Sequence, residues 1–199
     1  MKNNTIVIAT HNKNKLSEMK FILKPLGMNI KSLFDFPEVG DIPETGNSLE
    51  ENALIKAKTV YKLTGFSALS DDTGLEVDAL NGEPGVYSAR WAGENCSYSD
   101  NVNKLISKIK LISVYRRNAQ FRTVMAFVNK NVEHTEEGII KGLILDTAKG
   151  VGGFGYDPVF YIPMKRKTFA EMSLDEKGKI SHRGLALNNM LTYLKTNFV

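Results

Sequence analysis

Apolar residues recur along this chain at two spacings. Ile6, Val7 and Ile8 are contiguous, the pattern of a strand buried on both faces, and predict β-structure over Thr5 to Thr10. A polar stretch, His11 to Asn14, predicts a loop. Leu16, Met19, Ile22, Leu23 and Leu26 then fall at helical spacing up to Gly27. Strand, loop and helix in this order open an α/β unit. Asn29 to Phe34 predicts a second short strand, and Pro37, Gly40, Pro43 and Gly46 mark Asp35 to Asn47 as a loop. Ser48, with Glu51 three residues on, reads as a capping box that starts a helix over Leu49 to Leu63. Ala53, Leu54, Ala57, Val60 and Tyr61 form its apolar side. Phe66 to Ser70 predicts a strand running straight into Asp71-Asp72-Thr73-Gly74.

Glycines make Gly82 to Gly93 a loop, and a helix is predicted over Asn101 to Ile112, capped by Ser99 or Asp100. Gln120 to Val128 and Thr135 to Leu145 predict two long strands joined around Asn129-Lys130-Asn131. Gly150 to Pro158 is a glycine-rich loop, and a last helix is expected from Arg183 to Lys195, with Leu187, Met190, Leu191 and Leu194 inward. There is no internal repeat, low-complexity tract or linker. The expected fold is α/β with a mixed sheet, one domain over residues 1–199 with two lobes about a cleft, and active groups on loops leaving strand ends.

Composition changes this picture little. Hydrophobic residues make up 42% and charged residues 24% of the 199, ordinary for a globular domain. Cys96 is the single cysteine, so no intrachain disulfide forms, which fits a reducing cytoplasm. No apolar run nears the roughly 20 residues of a membrane span, and the first ten residues hold no apolar stretch of the signal-peptide type. The net charge of +4 would suit nucleic acid or a small polyphosphate; the basic residues are dispersed, and the densest group, Lys165-Arg166-Lys167, is short.

Four segments could carry chemistry. Thr10 to Lys15 lies between a strand and a helix, where backbone N–H groups and the helix dipole attract anions. Lys13 and Lys15 add charge, and Thr10, Asn12 and Asn14 add polar groups, so the segment is either a phosphate site or a polar loop with solvated lysines. Asp71 and Asp72, adjacent at a strand end, would repel if buried together, and a divalent cation such as Mg²⁺ would relieve them; the other reading is a turn. Glu44, in the loop before the second helix, has no local capping role and is preferred as the second metal ligand, while Lys56 could reach phosphate or lie in solvent. Gly153-Phe154-Gly155-Tyr156-Asp157 sets an aromatic among glycines that could stack on a base, or simply plug a turn. His182 and Arg183 put positive-capable groups at a helix N-terminus, the end the dipole disfavours, which suggests a ligand or plain surface placement. His11, His134 and Cys96 show no metal spacing.

These segments together resemble the inosine triphosphate pyrophosphatases, or XTP/dITP diphosphatases, which act on non-standard purine nucleotides. The matching pieces are Thr10-x-Asn12-x-x-Lys15, Glu44-Thr45-Gly46, Glu51-Asn52-Ala53-x-x-Lys56-Ala57, Ser70-Asp71-Asp72-Thr73-Gly74-Leu75, Gly85-Val86-Tyr87-Ser88-Ala89-Arg90, Gly153-Phe154-Gly155-Tyr156-Asp157-Pro158 and Ser181-His182-Arg183-Gly184. Each is weak alone; seven in order, spanning Ile6 to Leu187, are specific. The resemblance implies an elongated two-lobed α/β molecule around a long mixed sheet flanked by helices, a homodimer, and cleavage of ITP, dITP and XTP to monophosphate and pyrophosphate. It implies that Thr10, His11, Asn12, Lys13, Asn14, Lys15 and Lys56 hold the phosphates. Glu44 and Asp72 are implied to bind Mg²⁺, with Asp72 activating water. Thr73, Phe154, Gly155, Tyr156, Asp157, Lys177, His182 and Arg183 are implied to contact the nucleotide. Ser48-Leu49 replaces the family's usual Thr-Phe, and Glu176-Lys177-Gly178 its Glu-Lys-Asn. Two other readings compete: a non-catalytic nucleotide or RNA binder, which would need no acidic pair, and a pyrophosphatase for modified pyrimidine nucleotides.

Overall fold

The computed structural model describes residues 4–198; the ends of the expected 1–199 domain lie outside them. The chain is α/β, as the alternation of periods predicts. Eight strands are described: β1 (Thr5–Ile8), β2 (Asn29–Ser32), β3 (Ser67–Val77), β4 (Pro84–Gly85), β5 (Asn118–Val128), β6 (Glu133–Ile144), β7 (Phe160–Ile162) and β8 (Lys167–Thr168). Five helices accompany them: α1 (Lys13–Leu23), α2 (Leu49–Thr64), α3 (Tyr98–Ile109), α4 (Leu174–Ile180) and α5 (His182–Phe198). The strand order is β2-β1-β3-β5-β6-β7-β8, with β4 paired to β3. The sheet is mixed: β1 runs parallel to β2 (Ile6 opposite Ile30) and to β3 (Ile8 opposite Leu69), whereas β3–β4, β6–β7 and β7–β8 are antiparallel.

The chain divides into two compact units, Met1–Asp72 with Thr123–Gly138 and Arg183–Val199, and Thr73–Arg122 with Ile139–His182. In the first, Ile6 and Ile8 of β1, Met19 and Leu23 of α1, Leu69 of β3, Phe127 of β5 and Leu187 and Met190 of α5 form one buried cluster. In the second, Leu75, Leu105, Phe121, Ile144, Phe160 and Phe169 form another. No described helix is long and apolar enough to cross a membrane.

Several boundaries differ from the reading of the sequence. Helix α1 starts earlier, at Lys13, because Asn12 acts as its N-cap and accepts from the N–H groups of Asn14 and Lys15. Ser48 caps α2, but the Glu51 carboxylate accepts from the Asn47 N–H instead of closing the box on Ser48. Helix α3 begins at Tyr98, capped by Ser97 in a capping box with Asp100, and not by Ser99 or Asp100 itself. Strands β7 and β8 and helix α4 are too short to display a period and were not expected. Pairing of Tyr161 with Leu143 and Thr168 holds the strands, and a Ser173–Glu176 capping box starts the helix. The largest difference is β3. It does not end at Ser70 but continues through Asp71, Asp72, Thr73 and Gly74 to Val77. Gly74 permits this by close approach: a Cβ there would stand 2.7 Å from the Gly85 carbonyl oxygen in β4.

Candidate functional site

The extension of β3 alters the chemistry of its acidic pair. Successive side chains on a strand point to opposite faces, so Asp71 and Asp72 do not share a site. Each has its own nearest cations, Lys15 and Arg183 for Asp71 and Lys56 for Asp72, and these charges offset the repulsion between the two carboxylates, which still acts to raise Asp72.

On one face Asp71 is 1% exposed. Its Oδ2 accepts from Arg183 Nε at 3.1 Å and lies 3.1 Å from Lys15 Nζ. Arg183 Nη1 donates to Glu18 Oε2 at 2.5 Å. Two carboxylates and two cations thus form a buried, charge-balanced cluster that ties α1, β3 and α5 together. Burial acts to raise the Asp71 carboxyl, but Lys15 and Arg183 outweigh it and hold the group far below the usual carboxylate range. For Lys15 burial is the largest influence, and its pKa is lowered despite Asp71.

On the other face the Lys56 ammonium, from α2, donates to Glu44 Oε1 at 2.5 Å and to Asp72 Oδ1 at 3.4 Å. Burial would lower Lys56, but the charges of Asp72 and Glu44 raise it. Asp72 itself is pushed above the ordinary carboxyl range, mainly by burial, with Lys56 opposing. Its Oδ2 is buried and has no hydrogen-bond partner among the described residues. Two hard oxygen donors converging on one positive charge, one with an unused buried oxygen, fit a magnesium ion. No group of three His, Cys, Asp or Glu side chains among the described residues forms a closed cage. Magnesium does not require one, since it commonly takes one or two carboxylates and completes its shell with water and phosphate.

The Thr10 to Lys15 segment is more fully engaged than its composition suggested. Thr10 Oγ1 accepts from the Asn12 N–H, and Asn12 Oδ1 accepts from Asn14 and Lys15 N–H. Those N–H groups are engaged within the segment itself. The exposed Lys13 and the partly buried Lys15 remain as cationic groups. His11 faces Asp41, 3.4 Å away, and packs edge-on against Phe34.

In the second unit, the glycine-rich loop is closed by Asp157. Its Oδ2 accepts from the Phe154 N–H at 2.8 Å and from Lys177 Nζ at 2.6 Å. Gly153 (φ +70°) leaves room for this, since a Cβ there would fall 2.1 Å from Asp157 Oδ2. Lys177 Nζ also lies 4.9 Å from the centre of the half-buried Phe154 ring. The Tyr156 ring joins the core, and its hydroxyl donates to the Ser88 carbonyl oxygen. His182 is stacked on Phe121, 4.4 Å between ring centres. The two positive-capable groups that looked misplaced at a helix start are therefore both accommodated internally: His182 among aromatics, Arg183 on Glu18 and Asp71.

Sequence reasoning missed Glu18 and did not separate Asp71 from Asp72. Glu18 sits at a polar position of a surface-like helix, and only the fold places it beside Arg183. Asp71 was read jointly with Asp72; strand alternation was the signal that could have separated them.

A family model described as the Ham1 family matches residues 6–193. The dITP/XTP pyrophosphatase of Thermoanaerobacter pseudethanolicus is 47% identical over 189 residues, which is 95% of this chain and 96% of that protein. The protein of the same name from Bacillus subtilis is 44% identical over 190 residues, 95% and 96% of the two chains. Among solved structures, a HAM1 protein from Coxiella burnetii superposes with a TM-score of 0.88 at 39% identity, covering 96% of this chain and 98% of that one.

Proposed function

Since the chain belongs to the Ham1 family, we propose that it hydrolyses dITP, XTP and ITP to the nucleoside monophosphate and pyrophosphate, with Mg²⁺ as cofactor. The observation that carries this reading is the Glu44–Lys56–Asp72 arrangement, with the buried unpartnered Oδ2 of Asp72. The name shared by relatives 44–47% identical over nearly the whole chain supports the substrate class.

Glu44 and Asp72 would hold the ion. When bound, Mg²⁺ neutralises phosphate charge and assists departure of pyrophosphate. Asp72 orients the attacking water and takes its proton. Water oxygen bonds to the α-phosphorus, the bond from that phosphorus to the bridging oxygen breaks, and pyrophosphate carries away the electron pair. Lys13, Lys15 and Lys56 supply positive charge for the phosphates. In the second unit, taken by itself, the Phe154 ring backed by Lys177 offers a stacking face for a base.

The test is a panel of ITP, XTP, dITP, ATP, GTP and dUTP, with and without EDTA, followed by reaction in ¹⁸O-water. Expected are turnover of the first three, loss of turnover in EDTA with recovery on adding Mg²⁺, and label in the monophosphate. Label in pyrophosphate, or release of orthophosphate and diphosphate, would overturn the mechanism. Turnover of dUTP in preference to ITP would overturn the substrate class.

A further inference from the structure

The Glu44 carboxylate lies on an irregular loop, yet a metal ligand must be held in place. Two side chains from the first turn of α2 reach back to that loop. Asn52 Oδ1 accepts from the Gly46 N–H at 2.8 Å, and Glu51 Oε2 accepts from the Asn47 N–H at 2.6 Å. Gly46 is pressed onto both: a Cβ there would stand 2.6 Å from Glu51 Cβ and 2.8 Å from Asn52 Oδ1. Asn52 is fully buried, and its Nδ2 has no hydrogen-bond partner among the described residues. The Gly46 donor requires the amide oxygen to face the loop. A buried amide half satisfied inside a helix is unfavourable for stability, and asparagine is a poor helix former. A leucine there would carry no amide to leave unsatisfied, so what Asn52 contributes is the bond to the loop.

We propose that Asn52 and Glu51 are positioning residues that staple the Glu44–Asn47 loop to α2 and so present the Glu44 carboxylate beside Asp72 for the divalent cation. The proposal rests on the magnesium reading above. Glu44 stands two residues from one tether and three from the other, so loss of either frees its backbone. Lys56, four residues beyond Asn52 on the same helix, then contacts a carboxylate whose loop is referenced to its own helix.

The probe is Mn²⁺, read by the loss of its free-ion EPR signal as it is titrated into the full chain with imidodiphosphate present. Amide hydrogen exchange at Gly46 and Asn47 is followed in parallel. Asn52→Leu should weaken Mn²⁺ binding about 10–100-fold and unprotect both amides. Glu51→Ala, at an exposed position that does not endanger folding, should act in the same direction if Asn52→Leu does not fold. Ser48→Ala is the control: Ser48 caps the same helix through the Glu51 N–H without touching the loop, so Mn²⁺ affinity should hold while thermal stability falls. A wild-type chain that binds no Mn²⁺ would overturn the metal reading itself. Wild-type Mn²⁺ affinity in Glu51→Ala and Asn52→Leu, or an equal loss in Ser48→Ala, would overturn the staple and leave the metal reading standing.

Discussion

Two neighbouring aspartates should give opposite phenotypes when each becomes asparagine, because β3 sends them to opposite faces. Asp71→Asn leaves Lys15 and Arg183 with only Glu18 to balance them in a largely buried cluster. Breaking a buried ion pair from one side typically costs about 3–5 kcal/mol. The asparagine oxygen can still accept one of the two hydrogen bonds to Oδ2, so the lower end, about 3 kcal/mol, applies. At about 2–4 °C per kcal/mol for a chain of this size, the midpoint of unfolding should fall by about 6–12 °C. Asp72→Asn differs in sign of origin. A carboxyl raised in the folded state contributes stability only where it is protonated, and at neutral pH its charge opposes folding. Lys56 keeps Glu44 at 2.5 Å. Stability should therefore not fall, while kcat falls about 10²–10⁴-fold with loss of the base. Calorimetry and steady-state kinetics on both variants, in the same buffer, make the comparison. Equal loss of stability in the two, or a wild-type midpoint for Asp71→Asn, would refute the division of the pair across the strand.

Capping supplies a second prediction. Ser97→Ala should destabilise by about 1 kcal/mol and Ser99→Ala by nothing measurable, read by urea unfolding; the reverse would restore the boundary suggested by the sequence. In the same box, Ser97 holds the Asp100 carboxyl below its ordinary range through side-chain and backbone hydrogen bonds. Its stabilising effect is thus present above the unfolded pKa and lost as pH falls through the folded one, so the gap in midpoint between wild type and Asp100→Asn should close in acid. Third, Gly153→Ala forces a Cβ onto Asp157 Oδ2 in left-handed backbone. The Asp157–Lys177 bridge should open and KM for ITP should rise, while an unchanged KM would show that the loop is not closed by Asp157.

Local pattern was enough to determine a good deal here. The contiguous Ile6-Val7-Ile8, the helical stripes of α1 and α2, and the two long strand segments around Asn129-Lys130-Asn131 are properties of short windows, and they imply an α/β chain with a mixed sheet. The motifs around Lys15, Glu44, Lys56, Asp72 and Asp157 were legible because hard-oxygen, cationic and glycine chemistry announces itself in residue type. Tertiary structure alone decided how those residues are paired. That Asp71 belongs with Lys15, Arg183 and Glu18, and Asp72 with Lys56 and Glu44, follows from strand alternation at a stretch whose Asp and Gly content reads as a turn. Arg183 meets Glu18 across 165 positions of chain, a separation over which no local propensity acts. Short elements such as β7, β8 and α4 were not legible for a simpler reason: too few residues lie within them to carry a period of their own.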